Sequence, residues 1–342
     1  MKPSKVKAAL LHLIERQRPA FIWGAPGVGK SDIAEQVAEE SDRQLVDVRL
    51  SMMDTVDVRG FPVPNLEKRV MEWLIADFLP PMEVPGKTKG KMVPNESRGL
   101  LFLDEMNQAP QAVQAAAYQL ILNRRIGDYH LPKNWSVIAA GNRQSDRSNA
   151  QAMPAALANR FVHIDFEADM EDWYAWATQN GVSDITRAFI RFKPSMLHQF
   201  DPSTNPRAFP SPRSWHFVDD VINSRLDSDT EYELIKGTVG EGAAVEYLTF
   251  ARVARDLPTV DEILLAPDSA PVPEEPSAQY AICTALDSKA NKSTFTRLLT
   301  YAERLPTEFQ VLFVRSAAIA NREITQTQDY IKWLTANQSV LL

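Results

Sequence analysis

The sequence predicts an α/β fold, a parallel sheet flanked by helices, followed by a helical C-terminal half. Three observations predict it. Short apolar runs alternate with helical stretches as far as residue 168. The first of those runs leads straight into a glycine-rich turn. Beyond residue 168 strand patterns fade and helical spacing dominates.

The elements follow in order. Residues 4–16 place Val6, Leu10, Leu13 and Ile14 on one stripe, the spacing of a helix buried along one face. Pro19–Trp23 is a short apolar strand. Ser31–Glu40 is helical, and Leu45–Leu50 (LVDVRL) reads as a strand. Gly99–Leu103 (GLLFL) is an apolar strand, Gln111–Leu122 an alanine-rich helix, and Ser136–Ala140 a strand. Pro154–Arg160 reads as a short helix and Val162–Phe166 as the last strand of the series. Continuous apolar strands between helices suit a parallel sheet covered on both faces. After it, Met170–Gln179, Asp184–Phe192 and Trp215–Ile222 have helical spacing. The proline density of Ala266–Pro276 (APDSAPVPEEP) predicts a linker or extended crossing. The expected division is an α/β core at 1–168, a helical domain at 169–265, a proline-rich linker at 266–276 and a helical C-terminal region at 277–342. Val84–Arg98, with Lys87, Lys89 and Lys91 among glycines and prolines, reads as an exposed loop.

Composition narrows the classes. With 342 residues, 44% hydrophobic and 24% charged, the chain is neither disordered nor fibrous nor a disulfide-framework miniprotein. Its single cysteine, Cys283, excludes an intrachain disulfide and fits a cytoplasmic setting as a buried structural thiol. A net charge of -7 argues against a global electrostatic grip on nucleic acid. No apolar run approaches the roughly 18 residues that span a bilayer, and Met1-Lys2-Pro3-Ser4 lacks a signal-peptide pattern. The five histidines are scattered without metal-ligand spacing.

Gly24-Ala25-Pro26-Gly27-Val28-Gly29-Lys30-Ser31 fits G-x-x-x-x-G-K-[ST] at every fixed position, between a strand and a helix. Glycines let the backbone wrap an anion with its N–H groups pointing inward, and the helix adds its positive end. Lys30 is expected on the β- and γ-phosphates of a nucleotide and the Ser31 hydroxyl on Mg²⁺; Asp32 is grouped with the loop. Leu100-Leu101-Phe102-Leu103-Asp104-Glu105 is an apolar strand ending in two acids. Asp104 at the strand tip would hold Mg²⁺, directly or through water, and Glu105 would orient or deprotonate an attacking water. Trp135–Asn142 is a second apolar strand with a polar tip, where the Asn142 amide would meet the γ-phosphate and the water. Arg160, in LANRF before the last strand, would stabilise transition-state charge in a neighbouring subunit. Arg213, in SPRSW, would reach a nucleotide from the helical region.

These residues resemble the AAA+ ATPases, and within them the MoxR-like group. The segments that carry the resemblance are GAPGVGKS (24–31), LLFLDEMNQAP (100–110), VIAAGN (137–142), MPAALANRF (153–161) and SPRSW (211–215). The resemblance implies a P-loop NTPase core with a helical lid, ATP and Mg²⁺ as cofactors, and Gly24–Ser31 as the Walker A loop. It makes Asp104 and Glu105 Walker B, Asn142 sensor 1, Arg160 the arginine finger and Arg213 sensor 2. Two positions depart from the pattern: Arg143 follows the sensor asparagine where proline is usual, and Gln108 replaces an arginine. The group also carries an insertion and a hairpin that face the ring channel or a partner. Asp54–Trp73 and Arg125–Asn134 look like these, with Tyr129 and His130 as candidate contact residues at the hairpin tip, although His130 reads first as a partly exposed loop histidine.

The resemblance implies a hexameric ring that couples ATP hydrolysis to remodelling, activation or maturation of a protein partner, one with a von Willebrand factor A domain. A nucleic-acid motor is the alternative. Lys87, Lys89, Lys91 and the Arg124-Arg125 pair speak for it, the acidic net charge against it. An intact Glu105 argues against a nucleotide-gated scaffold without turnover.

Overall fold

A computed structural model describes residues 1–86, 91–146, 152–204, 206–224 and 226–337. Lys87 and Lys89 lie outside the described residues. The chain forms two compact units, Met1–Glu167 with Asp201–Asn205, and Ala168–Phe200 with Pro206–Leu342.

The first unit runs α1 (Pro3–Glu15), β1 (Ala20–Trp23), α2 (Lys30–Glu40), β2 (Gln44–Arg49), α3 (Thr55–Arg59), β3 (Phe61–Asn65), β4 (Val70–Leu74), β5 (Glu83–Pro85) and β6 (Met92–Pro94). It continues with β7 (Gly99–Asp104), α4 (Gln111–Asn123), β8 (Arg125–Ile126), β9 (Tyr129–His130), β10 (Trp135–Gly141), α5 (Ala155–Ala158) and β11 (Val162–Asp165). Five of these strands form one sheet in the order β11-β1-β10-β7-β2, and every pairing is parallel. β7 and β10 are buried at every residue, so their sequences read as unbroken apolar runs rather than alternating ones. Phe21, Leu101, Leu103, Val113, Leu120 and Val137 are among the residues that pack one side of the core. α1 buries Val6, Leu10 and Ile14, three of the four stripe residues.

The sheet is the predicted parallel one, and the differences are local. Val84–Arg98 is not loop throughout: β5 and β6 pair antiparallel, with Val84 opposite Val93. Asp54–Trp73 holds α3 and the β3–β4 hairpin. Arg125–Asn134 contains the tiny β8–β9 hairpin, but Tyr129 is not presented at its tip. Its side chain is 2% exposed, and its hydroxyl donates to the Pro80 carbonyl at 2.8 Å. The phenol ring supplies apolar area to the core while its polar end finds a backbone acceptor, which outweighs exposure. His130 remains exposed.

The second unit is helical: α6 (Met170–Gln179), α7 (Asp184–Phe192), α8 (Pro212–Ile222), α9 (Ser228–Val239), α10 (Glu241–Arg255), α11 (Val260–Leu265), α12 (Pro276–Lys289), α13 (Phe295–Ala302), α14 (Thr307–Ala320) and α15 (Gln328–Ala336). Side-chain caps set several starts: Asp169 accepts from the Asp172 amide, and Ser211 and Ser214 form a reciprocal capping box on α8. Phe189, Trp215 and Tyr247 anchor one apolar cluster, and Cys283, Phe295, Leu298 and Phe313 another. The proline-rich stretch before α12 is strapped to the helices of this unit. The carbonyls of Pro267, Pro271 and Pro273 accept from Arg304, Tyr301 and Gln279 at 2.7, 2.7 and 3.0 Å.

Candidate nucleotide site

Parallel pairing decides where the polar residues meet. Trp23 lies opposite Gly141, and Ala139 opposite Leu103. The chain therefore leaves β1, β10 and β7 at neighbouring points on the carboxyl edge of the sheet, where open α/β sheets bind ligands. The glycine loop, Asn142 and Asp104 all emerge there.

The loop from Gly24 to Gly29 turns through two left-handed glycines, Gly27 at φ +73° and Gly29 at φ +99°. Gly24 is closely packed: a Cβ would lie 3.1 Å from both the Phe166 carbonyl and the Val28 side chain, so its neighbours would have to give way. α2 starts at Lys30 with Asp32, exposed, in its first turn. The Lys30 ammonium donates to the Gly24 and Ala25 carbonyls at 2.8 and 3.1 Å and to Asn142 Oδ1 at 2.8 Å. The Ser31 hydroxyl donates to Asp104 Oδ2 at 2.9 Å.

Asp104 is buried, and its other oxygen accepts from the Glu105 amide at 2.8 Å. Glu105 sits at φ +52°, a left-handed conformation that side-chain-bearing residues adopt at a cost of about 1 kcal/mol or more. Its carboxylate accepts from the Ser51 hydroxyl. Ser51 follows β2, which lies beside β7 with Arg49 opposite Asp104. On β2 the Asp47 carboxyl, partly open to solvent, is pushed above the ordinary carboxylate range by desolvation and then by the negative charge of Asp104.

Asn107 Nδ2 donates to the Asn142 carbonyl at 2.8 Å. Asn107 packs so tightly on Gly141 that a Cβ there would lie 2.1 Å from Asn107 Oδ1. Arg143 forms ion pairs with Asp165 and Glu167 at 3.6 and 3.7 Å, and its backbone N–H donates to Asp146. Lys30, Ser31, Asp104, Glu105 and Asn142 are thus brought together by contact. Arg160 stands exposed after α5, with no side-chain hydrogen bond or ion pair among the described residues. Arg213 is the second residue of α8, in the helical unit, and is exposed. Ser51 and the packing role of Asn107 are additions that sequence reading missed. Asn107 falls within the LLFLDEMNQAP segment, but Ser51 carries no local signal.

Family comparison names this arrangement. A model of the AAA domain (dynein-related subfamily) matches residues 19–161. That span holds the loop, both acids, Asn142 and Arg160. Residues 19–161 thus resemble an AAA-type P-loop domain. The chain is 26% identical over 193 residues to Midasin of Giardia intestinalis, a match spanning 54% of this chain and 4% of that protein. It is 25% identical over 173 residues to Midasin of Dictyostelium discoideum, 47% of this chain and 3% of that protein. The chain thus spans only a small fraction of the length of these relatives. Among solved structures, a putative ATPase from Cytophaga hutchinsonii aligns over 91% of this chain and 79% of its own, with 16% identity and a TM-score of 0.36. NtrX from Brucella abortus in complex with ADP aligns over 92% and 68%, with 13% identity and a TM-score of 0.42.

An AAA domain binds a nucleotide, and the residues fit one. The two left-handed glycines shape a backbone cradle with Lys30 at its mouth. For Mg²⁺ the complement is one hydroxyl and one carboxylate, Ser31 and Asp104. Among the described residues no group of three or more His, Cys, Asp or Glu is arranged to hold a metal. A hydroxyl and a carboxylate suit an ion that keeps waters and phosphate oxygens as its other ligands. Nor is any helix among the described residues long and apolar enough to cross a membrane.

Proposed function

We propose that the protein is a MoxR-like AAA+ ring ATPase of the cytoplasm that couples ATP hydrolysis to remodelling, activation or maturation of a protein partner bearing a von Willebrand factor A domain. One observation carries the reading: a phosphate loop, a hydroxyl–carboxylate pair, a glutamate and an amide meet at adjacent strand tips, while Arg160 in the same domain points to solvent. An arginine placed so is free to serve the site of a neighbouring copy, hence a ring, with six copies as in the group it resembles.

Each group has a task. Lys30 exchanges its carbonyl and amide acceptors for phosphate oxygens, to which its charge binds more strongly. Mg²⁺, when bound, neutralises charge on the β- and γ-phosphates. Ser31 and Asp104 would hold that ion. Glu105 turns from Ser51 to an attacking water and accepts its proton. The Asn142 amide, freed from Lys30, positions that water against the γ-phosphate. Arg160 of the neighbour meets the charge that develops as the bond breaks. Arg213 reports the lid position to the nucleotide. The test is Glu105→Gln, which keeps shape but removes the base. It is expected to retain ATP binding and to lose turnover by about 100-fold or more. Unchanged turnover by this variant would refute the assignment.

A further inference from the structure

His163 ties the turn that bears Arg160 to the strand that feeds the phosphate loop. It lies on β11, three residues after Arg160, and is open to solvent. The Trp23 indole N–H donates to His163 Nδ1 at 2.9 Å, and the two rings stack 5.9 Å apart at 23°. Indole nitrogen only donates, so Nδ1 accepts and the ring proton sits on Nε2. Nε2 in turn donates to the Ala158 carbonyl at 2.8 Å. The ring is saturated at both ends and has one orientation.

Both partners adjoin residues of the proposed machinery. Trp23 is the last residue of β1, directly before Gly24. Ala158 closes α5, and its carbonyl also accepts from the Phe161 amide at 3.2 Å. The backbone from Ala158 to Phe161 is therefore a closed turn with Arg160 inside it; the Arg160 amide itself donates to Leu157 at 2.8 Å. On one side this turn is pinned by Phe161, 7% exposed and edge-on to Phe21 at 5.4 Å. On the other side Leu157, 2% exposed, anchors α5 in the core, and the hydrogen bond from His163 holds the Ala158 carbonyl. Loop placement of a charge that must meet a phosphate in another subunit tolerates little slack.

We infer that His163 is a positioning residue: through the Trp23–His163–Ala158 chain of hydrogen bonds it fixes the Arg160 turn for delivery to the neighbouring site. The inference rests on the shared-site reading above, and subunit mixing separates the two. An Arg160→Ala subunit has an intact loop but no arginine to give. A Lys30→Ala subunit has a disabled loop but can still give Arg160. Full-length Arg160→Ala protein mixed with full-length Lys30→Ala protein should recover ATPase activity. If it does not, the shared site fails and the role of His163 falls with it. If it does, the second donor is Lys30→Ala carrying His163→Leu. That donor should recover roughly tenfold to 100-fold less. Lys30→Ala with His163→Gln, whose amide oxygen accepts and whose NH₂ donates, should restore most of the rescue. Lys30→Ala with Trp23→Phe, which deletes the indole donor and trims the ring that stacks on His163, should fall between. Rescue by the leucine and phenylalanine donors equal to that by Lys30→Ala alone would overturn the inference while leaving the shared site standing. A glutamine donor as poor as the leucine one, or a leucine donor that no longer co-assembles by size-exclusion chromatography, would overturn it too, because a general structural defect would then explain the loss.

Discussion

Two polar clusters, one in each unit, use similar side chains for opposite ends. In the α/β unit Lys30, Ser31 and Glu105 are half-buried, and each holds an acceptor or donor that a ligand can replace. In the helical unit Arg191 lies on α7 and ion-pairs with Asp287 of α12 at 3.1 Å. The same guanidinium donates to Ser316 of α14 at 2.6 Å and covers the Tyr174 ring of α6 at 3.7 Å. Tyr174 adds its own hydrogen bond to Asp287 at 3.1 Å. Both charges are nearly sealed, Asp287 at 2% exposure. Solvent access is the difference. An ion pair that water can reach is cheap to exchange, and one that water cannot reach must stay paired. The first cluster is fitted to bind and release; the second staples four helices.

The largest effect expected from this contrast is on the staple. Arg191→Ala leaves the Asp287 carboxylate buried without its cation and should destabilise the helical unit by about 3–5 kcal/mol at pH 8. Urea denaturation read through the tryptophans measures it. A loss below about 1 kcal/mol, the range of exposed pairs, would break the comparison. Ser51→Ala in the open cluster removes a contact that water replaces, and stability there should hardly move.

Next in size is Gly141→Ala. The new methyl would lie 2.1 Å from Asn107 Oδ1, and both groups are backed by the buried sheet. Something must shift, at about 1–3 kcal/mol, the usual range for overpacking. Asn142 is the next residue and its carbonyl is held by Asn107, so the amide that meets Lys30 should move as well. Hydrolysis should therefore fall further than nucleotide affinity. Equal loss in both, or none, would show that the packing does not set the tip of β10.

These residues also mark what was legible in the sequence. The sheet was, because fully buried strands such as β7 and β10 must be continuously apolar and cannot be mistaken for an exposed face. The polar groups at strand tips were legible as a set, because loops that follow parallel strands open on one edge. Contacts that need the strand order were not. Ser51 reaches Glu105 only because β2 lies beside β7, which no local spacing records. Tyr129 looked presentable on its hairpin, yet the Pro80 carbonyl, 49 residues away in sequence, takes its hydroxyl. The staple was equally silent: Arg191 and Asp287 are 96 residues apart, and a charged residue within a helix looks like a solvated one until its neighbours are known.

A smaller effect than either substitution in the cores is the pH dependence of that staple. Burial pushes the Asp287 carboxyl up to about 7, against the pull of Arg191 and the hydrogen bonds from Tyr174 and Arg191, which lower it. In the unfolded chain the same group titrates near its ordinary value of about 3.9. Between these values the folded form holds a proton that the unfolded form has lost. Stability from this group is therefore full below the unfolded value and drains away as pH rises through 7. Between pH 6 and pH 8 the helical unit should lose about 1.4 kcal/mol from one proton. Asp287→Asn keeps a hydrogen-bonding group of the same shape and cannot titrate, so its stability should be flat over that interval. If the wild type is flat too, the carboxylate is ionised throughout, and Arg191 rather than desolvation governs it. Arg191→Ala sharpens the point: without the cation, Asp287 can escape its burial by protonating, so the variant's deficit should shrink from pH 8 to pH 6. A deficit independent of pH would mean that the guanidinium stabilises this unit by its packing on Tyr174 and its bond to Ser316, not by its charge.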